Sequence, residues 1–189
     1  SISFLEDMES SPSGTLKNYA TYDSTNKFVR LTPNQMGMDG QLEYKMNPGD
    51  YFVAEFEFRV GGGNDYGYGP NGGDATWLYA YCTRTPIVEG DSCDGGYNFA
   101  YSEYNSEIQL YYDGNKLESV GQWIDDNQWH DAKIIHDGAV TKIYFDGNLV
   151  IDYQNTSRTI TGDLFGWGAR TGSATNNHDI RNLRLSFYD

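Results

Sequence analysis

The sequence is poor in the features that mark membrane proteins and nucleic-acid binders. No run approaches the roughly 18 consecutive apolar residues of a membrane-spanning helix, so we expect no membrane insertion. Basic residues are few: 13 Lys and Arg stand against 27 Asp and Glu, which gives a formal net charge of −14. Because a negative field repels phosphate groups, this balance excludes nucleic acid as an expected partner.

Cysteine is almost absent as well. Cys82 and Cys93 are the only two, and they enclose a polar segment, residues 83–92, that is typical of an exposed loop. No further Cys or His lies near them at a spacing suited to zinc, so we predict a Cys82–Cys93 disulfide. Disulfides persist in oxidising surroundings. The predicted location is therefore extracellular, at a cell surface or in the secretory compartment.

Helical periodicity is also missing, and short runs of β-branched and aromatic residues take its place. The clearest run, residues 51–60, alternates apolar and charged side chains in its second half, as a half-buried strand does. Type I′ hairpin turns are predicted at three Asp-Gly pairs, residues 113–114, 137–138 and 146–147. We therefore predict an all-β fold, a two-sheet antiparallel β-sandwich, with residues 1–189 as a single domain.

Two segments are predicted to be surface loops between strands. Residues 61–73 are rich in glycine, and residues 170–177 read Arg-Thr-Gly-Ser-Ala-Thr-Asn-Asn. Both ends of the chain have strand-like sequences, so we expect them to pair within one sheet.

Carboxylates and histidines do not assemble into a recognisable catalytic set. Glycoside hydrolysis needs two carboxylates about 5–10 Å apart, and Glu55 and Glu57 form an alternating pair on one strand without a third acid. Glu103 and Glu107 suit a loop and its flanks better than one strand face. Packing or turn roles are expected for the histidines, with a site role left open for the last of them: His130, His136 and His178. We therefore expect no enzyme activity.

The second half of the chain carries a family resemblance. Residues 165–173 (Phe-Gly-Trp-Gly-Ala-Arg-Thr-Gly-Ser) and residues 177–187, which end in Leu-Ser-Phe, resemble the C-terminal signature of L-type (legume-like) lectins. Residues 72–78 resemble the family's Ala-Asp-Gly-Leu-Ala-Phe segment, and residues 95–97 resemble its glycine loop. The matches keep the family's order over residues 50–189. The resemblance implies a concanavalin-like jelly roll whose sugar site lies in loops at one end of the concave sheet.

Carried over by position, the resemblance implies a set of carbohydrate-binding residues. A carboxylate suits paired sugar hydroxyls, a glycine amide donates to a further hydroxyl, and an aromatic ring stacks on the apolar sugar face. The implied carboxylate is Asp74, and the implied ring is Tyr97 or Tyr104. Turn or core roles stay open as alternatives for these residues. The remaining positions are the amides of Gly95 or Gly96 and a specificity loop of Arg170, Thr171, Gly172 and Ser173.

The metal-binding pattern of the family is altered in this chain. Legume-type lectins carry Glu-Phe-Asp-x-Tyr-x-Asn, whose acids hold manganese and calcium, but Ala100 and Ser102 stand at the acidic positions here. A manganese–calcium pair is therefore not expected. Candidate ligands for a single calcium ion, which takes six to eight oxygens, are Glu103, Asn105, Asp91 and Asp94. We also expect the disulfide to hold the binding loop in place of the missing metal.

The predicted function is non-catalytic binding of glycans or glycoproteins, with an oligomer or repeated copies supplying avidity. Two alternatives remain. Residues 128–130 (Gln-Trp-His) and 143–147 also occur in laminin-G-like sandwiches, which favours a protein-binding adhesion module. A sandwich-fold polysaccharide hydrolase or lyase would use Glu103 or Glu55 as its acid.

Overall fold

A computed structural model describes residues 2–64 and 71–187, and within these ranges the chain forms fifteen β-strands and no helix. No helix in the described ranges is therefore long and apolar enough to cross a membrane. The strands are β1 (Ile2–Glu6), β2 (Thr15–Asn18), β3 (Thr21–Asp23), β4 (Phe28–Thr32), β5 (Asp39–Lys45), β6 (Phe52–Asn64), β7 (Ala75–Cys82), β8 (Tyr97–Ser102), β9 (Glu107–Tyr112), β10 (Asn115–Gly121), β11 (Trp129–His136), β12 (Val140–Phe145), β13 (Asn148–Gln154), β14 (Leu164–Arg170) and β15 (Thr175–Phe187).

The strands form two antiparallel sheets that pack face to face. One sheet has the order β13-β12-β11-β6-β15-β4-β3, with β1 also paired to β15, and the other has the order β10-β9-β8-β7-β14-β5-β2. The pairing of β1 with β15 joins the two chain ends in one sheet, as expected. The predicted two-sheet β-sandwich is confirmed.

Local turn chemistry explains how neighbouring strands reverse. Asp113 and Gly114 both have positive φ angles, 48° and 81°, and connect β9 to β10. Asp146 and Gly147 do the same between β12 and β13, with φ angles of 48° and 83°. A type I′ turn requires positive φ at both central residues, so the Asp-Gly signal is confirmed at these two hairpins. Neither Asp137 nor Gly138 has a positive φ, so the third predicted type I′ turn is wrong.

The main core lies between the inner faces of the two sheets. On β6 the alternation is regular: Phe56, Phe58 and Val60 are buried, while Glu57 and Arg59 on the opposite face are partly exposed. Aromatic rings from both sheets fill the centre, and Phe52 meets Phe99 and Phe165 edge to face. Such edge contacts are the favoured geometry between aromatic rings.

A second, smaller core covers the outer face of the seven-stranded sheet. The loop closed by the Cys82–Cys93 disulfide, residues 83–92, folds back across this face, where Gln41 Nε2 donates to Pro86 O (3.4 Å) and Thr85 Oγ1 donates to Glu43 Oε2 (2.5 Å). Because both faces of β7 are therefore covered, all eight of its residues are buried. The cluster beneath the loop comprises Ala75, Trp77, Tyr79, Cys82, Cys93 and Ala100.

The glycine-rich segment 61–73 is only partly a loop, which corrects the prediction. Strand β6 continues to Asn64 and pairs with β15, residues 65–70 lie outside the described residues, and residues 71–73 are irregular. Gly61 serves close packing, because a Cβ there would lie 2.5 Å from the Asn127 side chain. The other predicted loop, 170–177, shrinks to residues 171–174 because β14 and β15 extend into it.

Candidate functional site

Asp74 lies at one rim of the sandwich, where three chain segments meet. It directly precedes β7, and its amide donates to the carbonyl of Arg170 at the end of β14 (2.8 Å). Its carbonyl accepts from the Tyr104 amide (3.2 Å) and from Ser102 Oγ (3.4 Å), at the end of β8. The peptide bond between Gly73 and Asp74 is cis. The backbone therefore holds this carboxylate between the ends of β8 and β14, the two strands that flank β7.

The side chain of Asp74 belongs to a chain of three charges. Arg170 Nη1 lies 2.6 Å from Asp74 Oδ2, and Arg170 Nε and Nη2 donate to the two carboxylate oxygens of Glu89 at 2.7 and 2.9 Å. The two-bond contact with Glu89 fixes the plane of the guanidinium. Glu89 comes from the disulfide loop, so the loop reaches from the cysteines to the Asp74 rim.

Burial raises the pKa of Asp74 to about 6, although the guanidinium of Arg170 opposes the shift. The nearby carboxylates of Glu89 and Glu103 raise it further. Burial alone would lower the pKa of Arg170, but its hydrogen bonds and ion pair with Glu89 raise it. At neutral pH the site therefore presents an ionised carboxylate beside a charged guanidinium.

A shallow pocket of about 300 Å³ opens over this charge pair. Its lining residues are Asp74, Glu89, Tyr104, Arg170, Gly172, Ser173 and Ala174. The ring of Tyr104 is 41% exposed, and a Cβ on Gly172 would lie 3.1 Å from Asp74 Oδ2, so glycine lets this backbone approach the carboxylate. An acceptor, a donor and a ring at one concave site suit a small hydroxylated ligand with an apolar face.

The pocket brings together five of the nine predicted carbohydrate-binding residues: Asp74, Tyr104, Arg170, Gly172 and Ser173. Thr171 is buried instead, which corrects its predicted place in the site. Its hydroxyl donates to Gln35 O (2.5 Å) and accepts from the Met38 amide (2.9 Å). Thr171 therefore secures the loop before β5 and has no surface for a ligand.

Gly95 and Gly96 do not join Asp74, which corrects another prediction. In the β7–β8 register Ala80 pairs with Tyr97 and Thr76 pairs with Tyr101, so the two glycines lie at the opposite end of the hairpin. Five or six residues of strand separate them from Asp74, roughly 17–20 Å. Both glycine amides donate to Ser92 O, at 3.0 and 3.1 Å. A Cβ on Gly96 would lie 2.4 Å from Cys93 Sγ, so this glycine admits the disulfide.

Tyr97 is a core residue, the alternative left open for it. Its ring is 1% exposed, stacks on Phe99 with ring centroids 5.8 Å apart and contacts His136 at 4.6 Å. It therefore presents no face to a ligand, and Tyr104 alone of the two predicted rings lines the pocket.

Behind the pocket, Glu103 forms a buried pair with His178. Glu103 Oε2 accepts from His178 Nε2 (2.7 Å) and from Asn176 Nδ2 (2.9 Å), and the side chains of Glu103 and His178 are fully buried. Burial alone would lower the pKa of His178, but the charge and hydrogen bond of Glu103 raise it. Thr32 Oγ1 lies 2.6 Å from the other ring nitrogen. The pair ties the loop that carries Tyr104 to β15.

The four predicted calcium ligands do not converge, which corrects that prediction. Asp91 and Asp94 lie by the disulfide, where both pair with Arg84, whereas Glu103 and Asn105 lie at the Asp74 rim. Among the described residues no three His, Cys, Asp or Glu side chains form a metal-binding group.

The buried oxygens near Glu103 also fall short of a calcium site. Glu103 Oε1, Asn71 Oδ1 and Asn176 Oδ1 have no hydrogen-bond partner within the described part of the chain. Three oxygens are half or fewer of those that Ca²⁺ takes. Moreover, Glu103 Oε2 already accepts hydrogen bonds from His178 and Asn176. The three unpaired oxygens alone do not complete a calcium site.

Two pocket residues were not predicted: Ala174, which directly follows the predicted specificity loop, and the charged residue Glu89. Glu89 lies in the middle of the cysteine loop, and no local pattern distinguishes it from the other acids there. Its position depends on how the loop crosses the outer face of the sheet, which periodicity and turn signals do not encode.

No protein-family model and no curated protein matches this sequence. Solved structures do match, at low identity. The VIP36 exoplasmic/lumenal domain in its Ca²⁺/Man-bound form is 18% identical with a TM-score of 0.76, and the match covers 98% of this chain and 89% of that one. Its metal-free form is also 18% identical, with a TM-score of 0.74 over 99% and 92% of the two chains.

Two further lectin structures give the same result. Winged bean acidic lectin complexed with methyl-α-D-galactose is 14% identical with a TM-score of 0.76, covering 100% of this chain and 99% of the lectin. The Emp47p carbohydrate recognition domain is 14% identical with a TM-score of 0.74, covering 99% and 95%. At these identities the likeness concerns the backbone architecture: this chain has the fold of the L-type lectins, a jelly roll of two antiparallel sheets.

Proposed function

We propose that this protein is a non-catalytic lectin that binds glycans at the Asp74 pocket. The observation that carries the proposal is the convergence of Asp74, Arg170 and Tyr104 at one rim of a fold shared with sugar-bound lectins. Sugar hydroxyls would donate to Asp74 and Glu89 and accept from Arg170, while the ring of Tyr104 covers an apolar C–H face.

The charges of the pocket favour neutral glycans. Two carboxylates surround one guanidinium, and the whole chain carries a formal net charge of −14. Sialylated or sulfated glycans would be repelled both locally and at long range. Affinity per site should be modest, because sugar hydroxyls exchange bonds to water for bonds to protein with little net gain. Useful avidity would then come from an oligomer or from several copies.

We also propose that the pocket keeps its shape without a metal. Calcium-bound and metal-free forms of the VIP36 domain have both been solved, so this fold does not depend on the ion. In the present chain the buried Glu103–His178 pair and the Asn176 amide hold the Tyr104 loop against β15. The imidazole of His178, whose pKa is raised by Glu103, therefore stands opposite the buried acid.

Other parts of the proposal concern context. Residues 1–189 are proposed to be one domain, because β1 pairs with β15 and closes the eight-stranded sheet around both ends of the chain. The proposed compartment is the secretory pathway or the outside of the cell. The Cys82–Cys93 disulfide and the likeness to an exoplasmic/lumenal domain support that assignment.

The two alternative functions find less support in the structure. Trp129, the centre of the laminin-G-like motif, is enclosed by Arg59 and Arg181, whose guanidinium carbons lie 4.6 and 4.0 Å from its ring. This packing accounts for the motif. Glu55, the candidate acid of a hydrolase, pairs with Lys133 (3.7 Å) on the outer face of the eight-stranded sheet. Glu103, the other candidate, is paired and fully buried. We propose no catalytic activity.

A glycan array with and without calcium tests the proposal. We expect the protein to bind a set of neutral glycans, and Asp74→Ala to abolish that binding. Asp152→Ala is the matched control, because Asp152 is an exposed aspartate on the distant strand β13. An array on which the folded protein binds no glycan in either condition overturns the proposal, as does full binding by Asp74→Ala.

A further inference from the structure

Trp123 exposes an unusually large apolar surface beside the pocket. Its side chain is 49% exposed, whereas Trp77 and Trp167 are 1% or less. The fourth tryptophan, Trp129, is half-buried between two arginines. A half-exposed indole indicates a binding surface, because it offers a broad stacking face at low cost in side-chain entropy. This property enriches Trp at binding surfaces.

The backbone places Trp123 next to the loop that carries Tyr104. Gln122, which precedes it, donates its amide to Ser106 O (2.8 Å), and the amide of Ser106 in turn donates to Glu103 O (3.2 Å). At the same place the strand β9 begins at Glu107, which pairs with Gly121, the last residue of β10. Neighbouring strands lie about 5 Å apart. The two exposed rings therefore belong to adjacent segments of the same rim.

The segment that carries Trp123 is held firmly. Ile124 is fully buried, and Asp125 Oδ2 accepts from the amide of Gly72 (2.6 Å), two residues before Asp74. The Asn127 amide donates to Val60 O (2.9 Å), on strand β6. Holding the ring in place before a ligand arrives reduces the entropic cost of binding. The hydrogen bond from Gly72 to Asp125 also joins the Trp123 segment to the residues that directly precede Asp74.

We infer that Trp123 forms a second sugar subsite, so that the ligand is an oligosaccharide of at least two units. The first unit occupies the Asp74 pocket, and the apolar face of a neighbouring unit stacks on the indole. The inference rests on the proposed function, because it extends the same site. It also explains how a pocket with modest polar contacts gains affinity. Burial of apolar area adds binding free energy, whereas hydrogen bonds that replace bonds to water add little.

Calorimetric titration of two probes tests the inference. The first probe is the strongest oligosaccharide from the array, and the second is the methyl glycoside of its terminal sugar; Man3GlcNAc and methyl α-mannoside are the starting pair. We expect Trp123→Ala to weaken the oligosaccharide at least tenfold, about 1.4 kcal/mol, and to change the methyl glycoside less than twofold. Trp123→Phe keeps a stacking face and should retain most of the affinity.

Leu149→Ala, which truncates another exposed apolar side chain on strand β13, is the matched control and should change neither titration. Thermal unfolding confirms that each variant is folded. If the wild type binds no glycan, the proposed function itself fails. If the wild type binds but Trp123→Ala binds the oligosaccharide equally well, or loses both probes equally, the second subsite is overturned while the lectin function stands.

Discussion

At the scale of single residues, Asp74 must serve two opposed requirements. The proposed ligand binding needs its ionised form as an acceptor, yet burial raises its pKa to about 6, which means that the folded state holds the proton more tightly than the unfolded chain does. The ordinary pKa of an aspartate is about 3.9. Stability from this group is therefore fully present below that value and is lost as pH rises through about 6. The carboxylate is retained at neutral pH at a cost in folding free energy.

Asp74→Asn is accordingly expected to stabilise the protein while abolishing glycan binding. A rise in pKa from about 3.9 to about 6 corresponds to about 3 kcal/mol, so we expect an increase of roughly 1–3 kcal/mol in unfolding free energy at pH 8. Urea unfolding from pH 4 to 8 checks the prediction. The variant should lack the fall in stability that the wild type shows between about pH 4 and 6, and a variant less stable than wild type at pH 8 contradicts it.

At the scale of elements, the disulfide loop acts as a brace across the outer face of the seven-stranded sheet. The cysteines of this loop lie far from the pocket, yet Glu89, on its other side, accepts two hydrogen bonds from Arg170. Between these points the loop covers an apolar cluster that includes Trp77 and Tyr79. The sequence suggested that the disulfide supports the proposed binding loops. The contact between Glu89 and Arg170 is the physical connection through which it would do so.

Removing the disulfide should weaken both folding and binding. We expect Cys82→Ala/Cys93→Ala to lose about 2–3 kcal/mol of unfolding free energy, as the chain-entropy estimate for a loop of this length gives. Glycan affinity should also fall, because Glu89 is no longer held against Arg170. Glu89→Gln with the disulfide intact is the control and should lower affinity alone. Unchanged affinity in the cysteine variant, measured by calorimetry, would show that the brace does not support the pocket.

At the scale of the whole molecule, the two sheets share one core but have different roles. The eight-stranded sheet joins both chain ends through β1 and β15, and its outer face is occupied by paired charges such as Arg30 and Arg59 on Asp179. The seven-stranded sheet carries the Asp74 rim. A buried hydrogen bond between Glu103, which directly follows β8, and His178 on β15 connects the two sheets beneath the pocket.

Because the internal Glu103–His178 hydrogen bond joins the sheets there, chelation should leave the protein unchanged. We expect EDTA-treated and calcium-supplemented samples to bind the same glycan with equal affinity and to unfold at the same temperature. Calorimetry and thermal unfolding on one preparation, first with EDTA and then with excess calcium, make the comparison. A tenfold loss of affinity in EDTA that calcium restores would show that a metal completes the site.

Local patterns in the sequence were sufficient for the architecture. Alternation along residues 52–60, Asp-Gly turns at 113–114 and 146–147, and the spacing of two cysteines are properties of short segments, and short-range sterics and hydrophobicity decide them. From these the all-β class, the antiparallel pairing and the disulfide followed. Asp74 and Arg170 were also identified, because the segments that contain them carry the family resemblance.

Only the tertiary structure decided which loops share a rim. Gly96 and Asp74 are near in sequence order but lie at opposite ends of one hairpin, because the β7–β8 register sets Tyr97 against Ala80. Glu89 reaches the pocket through a loop path across a sheet face, and Trp123 reaches its neighbourhood through the pairing of β9 with β10. Register and loop path depend on the packing of the entire sandwich. No short segment contains that information, so the sequence could not show which of the predicted residues share the pocket, nor that Glu89 joins them.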